Sequence, residues 1–114
     1  MKKKFFLCLL LLSFVLNAHP PKSIELSYDG EKATLTVKIW HKVGEPESHF
    51  IDKITVFLGD EPIAEKVYTR QQNETSQEET FVFSAKPLKP GDMVKVRANC
   101  NRFGRKTVQL EWPK

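Results

Sequence analysis

The feature that most constrains the fold is a period of two in the hydrophobic residues, which recurs in short segments along the chain. In residues 33–40, Ala33, Leu35, Val37 and Ile39 alternate with polar or larger amphipathic side chains. This period is typical of a β-strand with one buried face. No segment shows a helical period of useful length, so the chain is predicted to be all-β.

Seven segments of this kind are predicted strands, and most are separated by turn signals such as Asp29-Gly30. The predicted strands are residues 23–28, 33–40, 50–58, 63–69, 80–84, 93–99 and 107–112. Residues 71–79 contain no hydrophobic side chain and are predicted to form an exposed loop. Seven short alternating strands in one small domain predict an immunoglobulin-like antiparallel β-sandwich.

Residues 1–18 are predicted to be a secretory signal peptide. Three lysines precede the apolar run of residues 5–15, and Ala18 supplies a small residue at the expected cleavage position. The apolar run is too short for a transmembrane helix, although an uncleaved N-terminal anchor is the alternative. Cleavage would give a secreted or periplasmic protein with one domain, residues 19–114.

Net charge and cysteine content indicate which classes of partner fit this chain. Removing the three lysines from the 18 basic residues leaves 15, against 14 acidic ones, so the mature chain is nearly neutral. This balance favours neither nucleic acid nor an anionic membrane surface as a partner. Cleavage also removes Cys8 and leaves Cys100 alone. A single exported cysteine indicates a partner thiol or a metal, or else a small buried hydrophobe.

The three histidines and Cys100 are predicted to lie at one end of the sandwich. Adjacent strands run in opposite directions, so the end of strand two and the start of strand three meet there. His41 follows strand two, His49 precedes strand three, Cys100 follows strand six and His19 precedes strand one. Strand six runs in the same direction as strand two, which brings Cys100 to the same end.

The chemistry of these four residues predicts a metal site. Imidazole nitrogen and thiolate sulfur suit iron, copper and zinc, whereas magnesium and calcium prefer oxygen. Gly44 and Pro46 would shape the loop between His41 and His49. We therefore predict His19, His41, His49 and Cys100 as metal ligands, although each histidine taken singly is also explained as a surface loop residue.

Several short motifs resemble one known family. His49 opens the run His-Phe-Ile-Asp-Lys-Ile, Lys89 opens Lys-Pro-Gly-Asp, and Ala98 opens Ala-Asn-Cys-Asn. Together with His41, these motifs resemble the iron-binding domain of desulfoferrodoxin and neelaredoxin, the superoxide reductases. The similarity extends over about residues 19–104.

The resemblance implies an immunoglobulin-like fold around a mononuclear non-haem iron. In that family four equatorial histidines and one axial cysteine bind the iron, and superoxide binds at the open sixth position. His41 and His49 match the paired histidines, Cys100 matches the axial cysteine, and His19 is a looser match for the first histidine. The expected substrate is superoxide or another small anion, and the expected partner is a redox protein.

The chain also departs from the family pattern. Phe103 stands where the family has its fourth histidine. The family's lysine near the open position has no clear counterpart, and Lys42 is the nearest candidate. Glu45 or Glu47 would be candidates for the vacant ligand position. The motifs therefore support the domain family better than they support the superoxide reductase activity.

Two other functions remain open on the sequence. One is an exported copper-binding or metal-carrier protein, in which the α-amino group and imidazole of His19 would together chelate the ion. The other is a binding module without metal, because the sulfur-carrier partner proteins of thiosulfate oxidation are similar at His49-Phe-Ile and at Pro90-Gly-Asp. This last interpretation leaves His41 and Cys100 unexplained.

Overall fold

A computed structural model describes residues 20–112, and these residues form seven β-strands. The strands are β1 (Ser23–Asp29), β2 (Thr34–Trp40), β3 (Ile51–Leu58), β4 (Glu61–Val67), β5 (Ser76–Val82), β6 (Asp92–Cys100) and β7 (Arg105–Trp112). The predicted fold class is confirmed. The predicted signal peptide and His19 lie outside the described residues.

The strands form two antiparallel sheets that make a β-sandwich. One sheet has the order β1-β2-β5 and the other has the order β4-β3-β6-β7. Consecutive strands β2 and β3 therefore lie in different sheets, and the loop between them crosses from one sheet to the other. The immunoglobulin-like assignment within this class stays a prediction.

The core lies between the two sheets and is built by the alternation seen in the sequence. Leu35, Val37 and Ile39 of β2 are fully buried, as are Val94 and Val96 of β6. Burying each such side chain contributes about 1.5–3 kcal/mol to folding. Because successive residues of a strand face opposite sides, the direction of every side chain along β2 and β6 follows from this set.

The β3 strand interrupts that alternation near its start. Ile51 and Ile54 are both fully buried although they are three positions apart. The pairing of β3 with β6 shifts register between Ile51 and Lys53, which is the signature of a β-bulge. The irregularity turns both isoleucines inward, and it lies next to the end of β3 that carries His49.

The prediction of an exposed loop at residues 71–79 is wrong in part. Strand β5 begins at Ser76, and the side chains of Gln71, Ser76 and Gln77 are buried. Hydrophobic periodicity cannot detect this burial, because polar side chains are buried here through their hydrogen bonds. The predicted fifth strand therefore started too late.

The part of the chain that the structure describes contains no helix long and apolar enough to cross a membrane.

Candidate metal site

His41 continues the inward-facing row of β2. The row runs Leu35, Val37, Ile39 and then His41, which is only 2% exposed. Beyond the last residue of β2, the backbone N–H of His41 donates to the carbonyl of Thr75 over 2.9 Å. This bond prolongs the pairing with the β5 side of the sheet and keeps the imidazole pointing into the sandwich.

Cys100 continues the inward-facing row of β6 in the same way. Val94, Val96 and Ala98 are fully buried, and Cys100 is 5% exposed. The sequence predicted Cys100 in a loop, but it is the last residue of β6 and pairs with Ile51 of β3. A strand position fixes the direction of its side chain more firmly than a loop would.

His49 reaches the same place from the start of β3. A tight turn holds it, because the backbone N–H groups of Ser48 and His49 both donate to the carbonyl of Glu45, over 3.0 and 2.9 Å. His49 stands two positions before the buried Ile51 and is half-buried. It is thus the most solvent-accessible of the three side chains.

The three side chains converge at one end of the core. One nitrogen of His41, one nitrogen of His49 and the sulfur of Cys100 all lie within 4.8 Å of one another. The two imidazole rings are nearly perpendicular, with centroids 5.0 Å apart and an interplanar angle of 86°. His41 comes from one sheet, whereas His49 and Cys100 come from the other, so the cluster joins the two sheets.

This geometry fits a transition-metal ion. Metal–nitrogen and metal–sulfur bonds are about 2.0–2.3 Å long, so donors on opposite sides of one ion stand roughly 4.3 Å apart. The 4.8 Å limit of the cluster therefore requires only small side-chain movements to close on an ion. That these residues bind metal stays a prediction, but the expected meeting of His41, His49 and Cys100 is present.

The Cys100 thiol has an environment that opposes its ionisation. Burial raises the pKa of this thiol above its ordinary value. The backbone N–H of Arg102 points at the sulfur over 3.3 Å and acts in the opposite direction, without cancelling the effect of burial. An N–H donor at the sulfur is also suited to a bound thiolate, since it stabilises negative charge there.

One residue beside the site is not indicated by the hydrophobic pattern of the sequence. The side-chain oxygen of Gln71 lies 2.8 Å from Nδ1 of His41, and the glutamine is fully buried. Its neighbours in sequence are polar, so nothing in the hydrophobic pattern marks it. The sequence does indicate that His41 continues the inward-facing row of β2. A buried imidazole needs a polar hydrogen-bonding partner, so such a partner could have been expected.

Other sequence candidates lie outside the cluster. Among the described residues, neither Glu45 nor Glu47 belongs to the group of donors. Glu45 accepts a hydrogen bond from Ser48 over 3.0 Å, and Glu47 forms an exposed ion pair with Arg70. Phe103 is 93% exposed and supplies no donor, and His19 lies outside the described residues.

The cluster faces solvent through a shallow, open depression. The depression is lined by Gly44, Glu45, Ser48, His49 and Arg102. Arg102 is the cation on this surface, whereas the candidate from the sequence, Lys42, is exposed and does not line it. A small anion that approached His49 would therefore meet the positive charge of Arg102 and the negative charge of Glu45 in the same depression.

Comparisons of the chain with models of protein families, with curated proteins and with solved structures give no match. The resemblance to the superoxide reductases therefore stays a prediction that depends on the motifs around His41, His49 and Cys100.

Proposed function

We propose that this protein holds one redox-active transition-metal ion between its two sheets, through His41, His49 and Cys100. The observation that supports the proposal best is the convergence of two imidazoles and a thiol within 4.8 Å. They occupy the inward-facing positions where an all-apolar core would have continued. Nitrogen and sulfur donors of this kind favour iron, copper or zinc.

Iron is the ion we propose, and superoxide is the proposed substrate. The support is the resemblance of the ligand motifs to the superoxide reductases, together with the open depression beside His49. Bound iron would supply one electron, passing from Fe(II) to Fe(III), so that superoxide and two protons become hydrogen peroxide. A separate electron-donor protein would then restore Fe(II).

The residues of the chain have distinct parts in this proposal. His41 and His49 bind the ion as neutral imidazoles, and Cys100 binds it as a thiolate, whose negative charge favours the higher oxidation state. Arg102 draws the anion toward the depression by its charge. The small residues Gly44 and Ser48 leave that approach open.

Copper is a second candidate, and one specific observation favours it. The donors that the described residues bring together are two imidazoles and one thiol, which is the donor set of trigonal copper sites. Phe103 is exposed and does not add the further histidine that the iron family uses. A copper ion in this site would make the protein an electron carrier or a copper carrier.

The deciding experiment is metal analysis of the natively exported protein, combined with its oxidised visible spectrum. We expect about one iron per chain and a thiolate-to-iron charge-transfer band. Cys100→Ser should lose both the ion and the band. Equal metal content in the wild type and in Cys100→Ser would contradict the thiolate assignment.

The other outcomes distinguish the alternatives. Stoichiometric copper with an intense thiolate-to-copper band would select the second candidate. A protein that takes up neither ion on reconstitution would favour a partner-binding module. If iron is present, the second-order reaction with superoxide should be measured next, and the absence of any reaction would exclude the reductase activity.

A further inference from the structure

Gln71 is fully buried, and its side-chain amide uses all of its hydrogen-bonding capacity. Its nitrogen Nε2 donates to the carbonyl of His41 over 2.8 Å and to the carbonyl of Asn73 over 2.9 Å. Its oxygen Oε1 lies 2.8 Å from Nδ1 of His41 and accepts from the backbone N–H of Ile51 over 3.3 Å. An amide offers two donor hydrogens and two acceptor lone pairs, so all four are occupied.

The amide cannot be turned the other way round. The two carbonyl groups facing Nε2 are acceptors only, so the group that faces them must be a donor. The backbone N–H of Ile51 is a donor only, so the atom that faces it must be an oxygen. Three backbone groups thus determine the orientation of Gln71 without any reference to the imidazole.

That orientation determines the protonation pattern of His41. Because Oε1 of Gln71 only accepts hydrogen bonds, the ring nitrogen 2.8 Å away, Nδ1, must carry a hydrogen. A neutral imidazole has one N–H and one nitrogen with a lone pair. The lone pair of neutral His41 is therefore on Nε2, which makes Nε2 the atom that can bind a metal.

We infer that Gln71 is a positioning residue that presets His41 as its Nδ1–H tautomer before any metal arrives. The inference rests on the proposed metal site for its purpose, but the tautomer itself follows from hydrogen bonds within the chain. Gln71 is hydrogen-bonded to His41, which follows β2 of one sheet, and to Ile51, which begins β3 of the other sheet. It therefore also holds the two sheets in a fixed relative position at the candidate site. Gln71 controls which nitrogen of His41 serves as ligand.

The first test reads the tautomer directly in the metal-free protein. Long-range proton–nitrogen NMR of the uniformly ¹⁵N-labelled chain distinguishes a protonated from an unprotonated ring nitrogen, and a His41→Asn variant assigns the signals. We expect a protonated Nδ1 and an unprotonated Nε2 on His41. A protonated Nε2 with an unprotonated Nδ1 would overturn the inference.

The second test uses two buried glutamines as a matched pair. Gln71→Met keeps the length of the side chain but removes the acceptor for His41, and Gln77→Met makes the same change at a buried glutamine that bonds the backbone of Gln72 instead. Zn²⁺ is the probe, and affinity is measured by competition with a chelator. We expect Gln71→Met to weaken binding about 10- to 100-fold, as removal of outer-shell partners does.

The outcomes separate this inference from the proposed function. Equal loss of affinity in Gln71→Met and Gln77→Met would contradict a specific role for Gln71. A wild-type protein that binds no metal would overturn the proposed function, while the NMR result would still decide the tautomer. If Gln71→Met fails to fold, the spectrum of the wild type alone confirms or overturns the inference.

Discussion

Asn101 and Phe50 are joined by two hydrogen bonds that connect the neighbours of two candidate ligands. The backbone N–H of Asn101 donates to the carbonyl of Phe50 over 3.0 Å, and the side-chain oxygen of Asn101 accepts from the N–H of Phe50 over 2.9 Å. The side-chain nitrogen of Asn101 also donates to the carbonyl of Ser48 over 3.0 Å. Asn101, next to Cys100, therefore holds the chain on both sides of His49.

Replacing Asn101 should cost both stability and metal affinity. Asn101→Ala removes three side-chain hydrogen bonds, including a long one that the Cys100 thiol donates over 4.0 Å, and leaves the part-buried N–H of Phe50 without its acceptor. We expect a loss of about 1–3 kcal/mol in the free energy of unfolding, measured by urea denaturation, and a several-fold weaker affinity for Zn²⁺.

Asp29→Ala is the control for Asn101→Ala. Asp29 accepts two backbone hydrogen bonds, from Glu31 and Lys32, in the turn at the opposite end of the sandwich. This variant should lose stability but keep its affinity for Zn²⁺. If both variants lost affinity equally, Asn101 would have no particular connection with the site.

Metal binding should strengthen as the pH rises. Burial raises the pKa of the Cys100 thiol above its ordinary value, so the thiol is protonated near neutral pH in the metal-free protein. Since a metal binds the thiolate, each binding event releases that proton. The dissociation constant for Zn²⁺ should fall about tenfold per pH unit between about pH 7.5 and 8.5, because the thiol must lose one proton for each ion that binds.

The measurement is a competition titration at several pH values, with proton release followed by a dye in weakly buffered solution. One proton per Zn²⁺ is expected in this range. No proton release, together with a flat pH profile, would mean that the Cys100 sulfur is not the ligand or is already ionised.

Arg102 should influence reactions with anions through its charge. Arg102→Glu reverses the charge beside the depression but keeps the backbone N–H that points at the Cys100 sulfur. The second-order rate constant with superoxide should fall about three- to tenfold at low salt, and less at high salt, because screening weakens steering.

Lys42→Glu is the matched control for charge reversal, because Lys42 is exposed and does not line the depression. It should change the rate constant less than Arg102→Glu does. A larger effect of Lys42→Glu would indicate that Lys42, and not Arg102, attracts the anion.

Phe103 should be replaceable with a gain in stability. It has a φ of 76°, which is the left-handed region, and its side chain is 93% exposed. Glycine adopts this conformation without strain, so Phe103→Gly should stabilise the protein by about 0.5–1 kcal/mol after its greater freedom in the unfolded state is counted.

Phe103→Ala separates the two causes, because it removes the exposed ring but keeps the Cβ atom. In thermal denaturation of the metal-free proteins, only Phe103→Gly should have a higher melting temperature than the wild type. An equal rise in melting temperature in both variants would show that the exposed ring, and not the left-handed backbone conformation, destabilises the wild type.

Hydrophobic alternation was sufficient to predict the seven strands and the end of the sandwich at which His41, His49 and Cys100 meet. It gave inexact boundaries, since Cys100 belongs to β6 and β5 begins at Ser76. Both errors occurred where polar residues or a cysteine occupy strand positions. A period of two in apolar residues cannot detect the polar positions of β5, because their burial depends on hydrogen bonds. Cys100, in contrast, continues the apolar period of β6, so its strand position could have been predicted.

The sequence by itself determined the directions of the strands, and hence that His41, His49 and Cys100 lie at a common end. Only the tertiary structure decided that Gln71 is buried against His41, and that Asn101 holds the chain around His49. The physical reason is that alternation is a local property of each strand. The hydrogen bonds between Gln71 and His41 join residues 30 positions apart. They depend on how the two sheets pack together, which no local pattern determines.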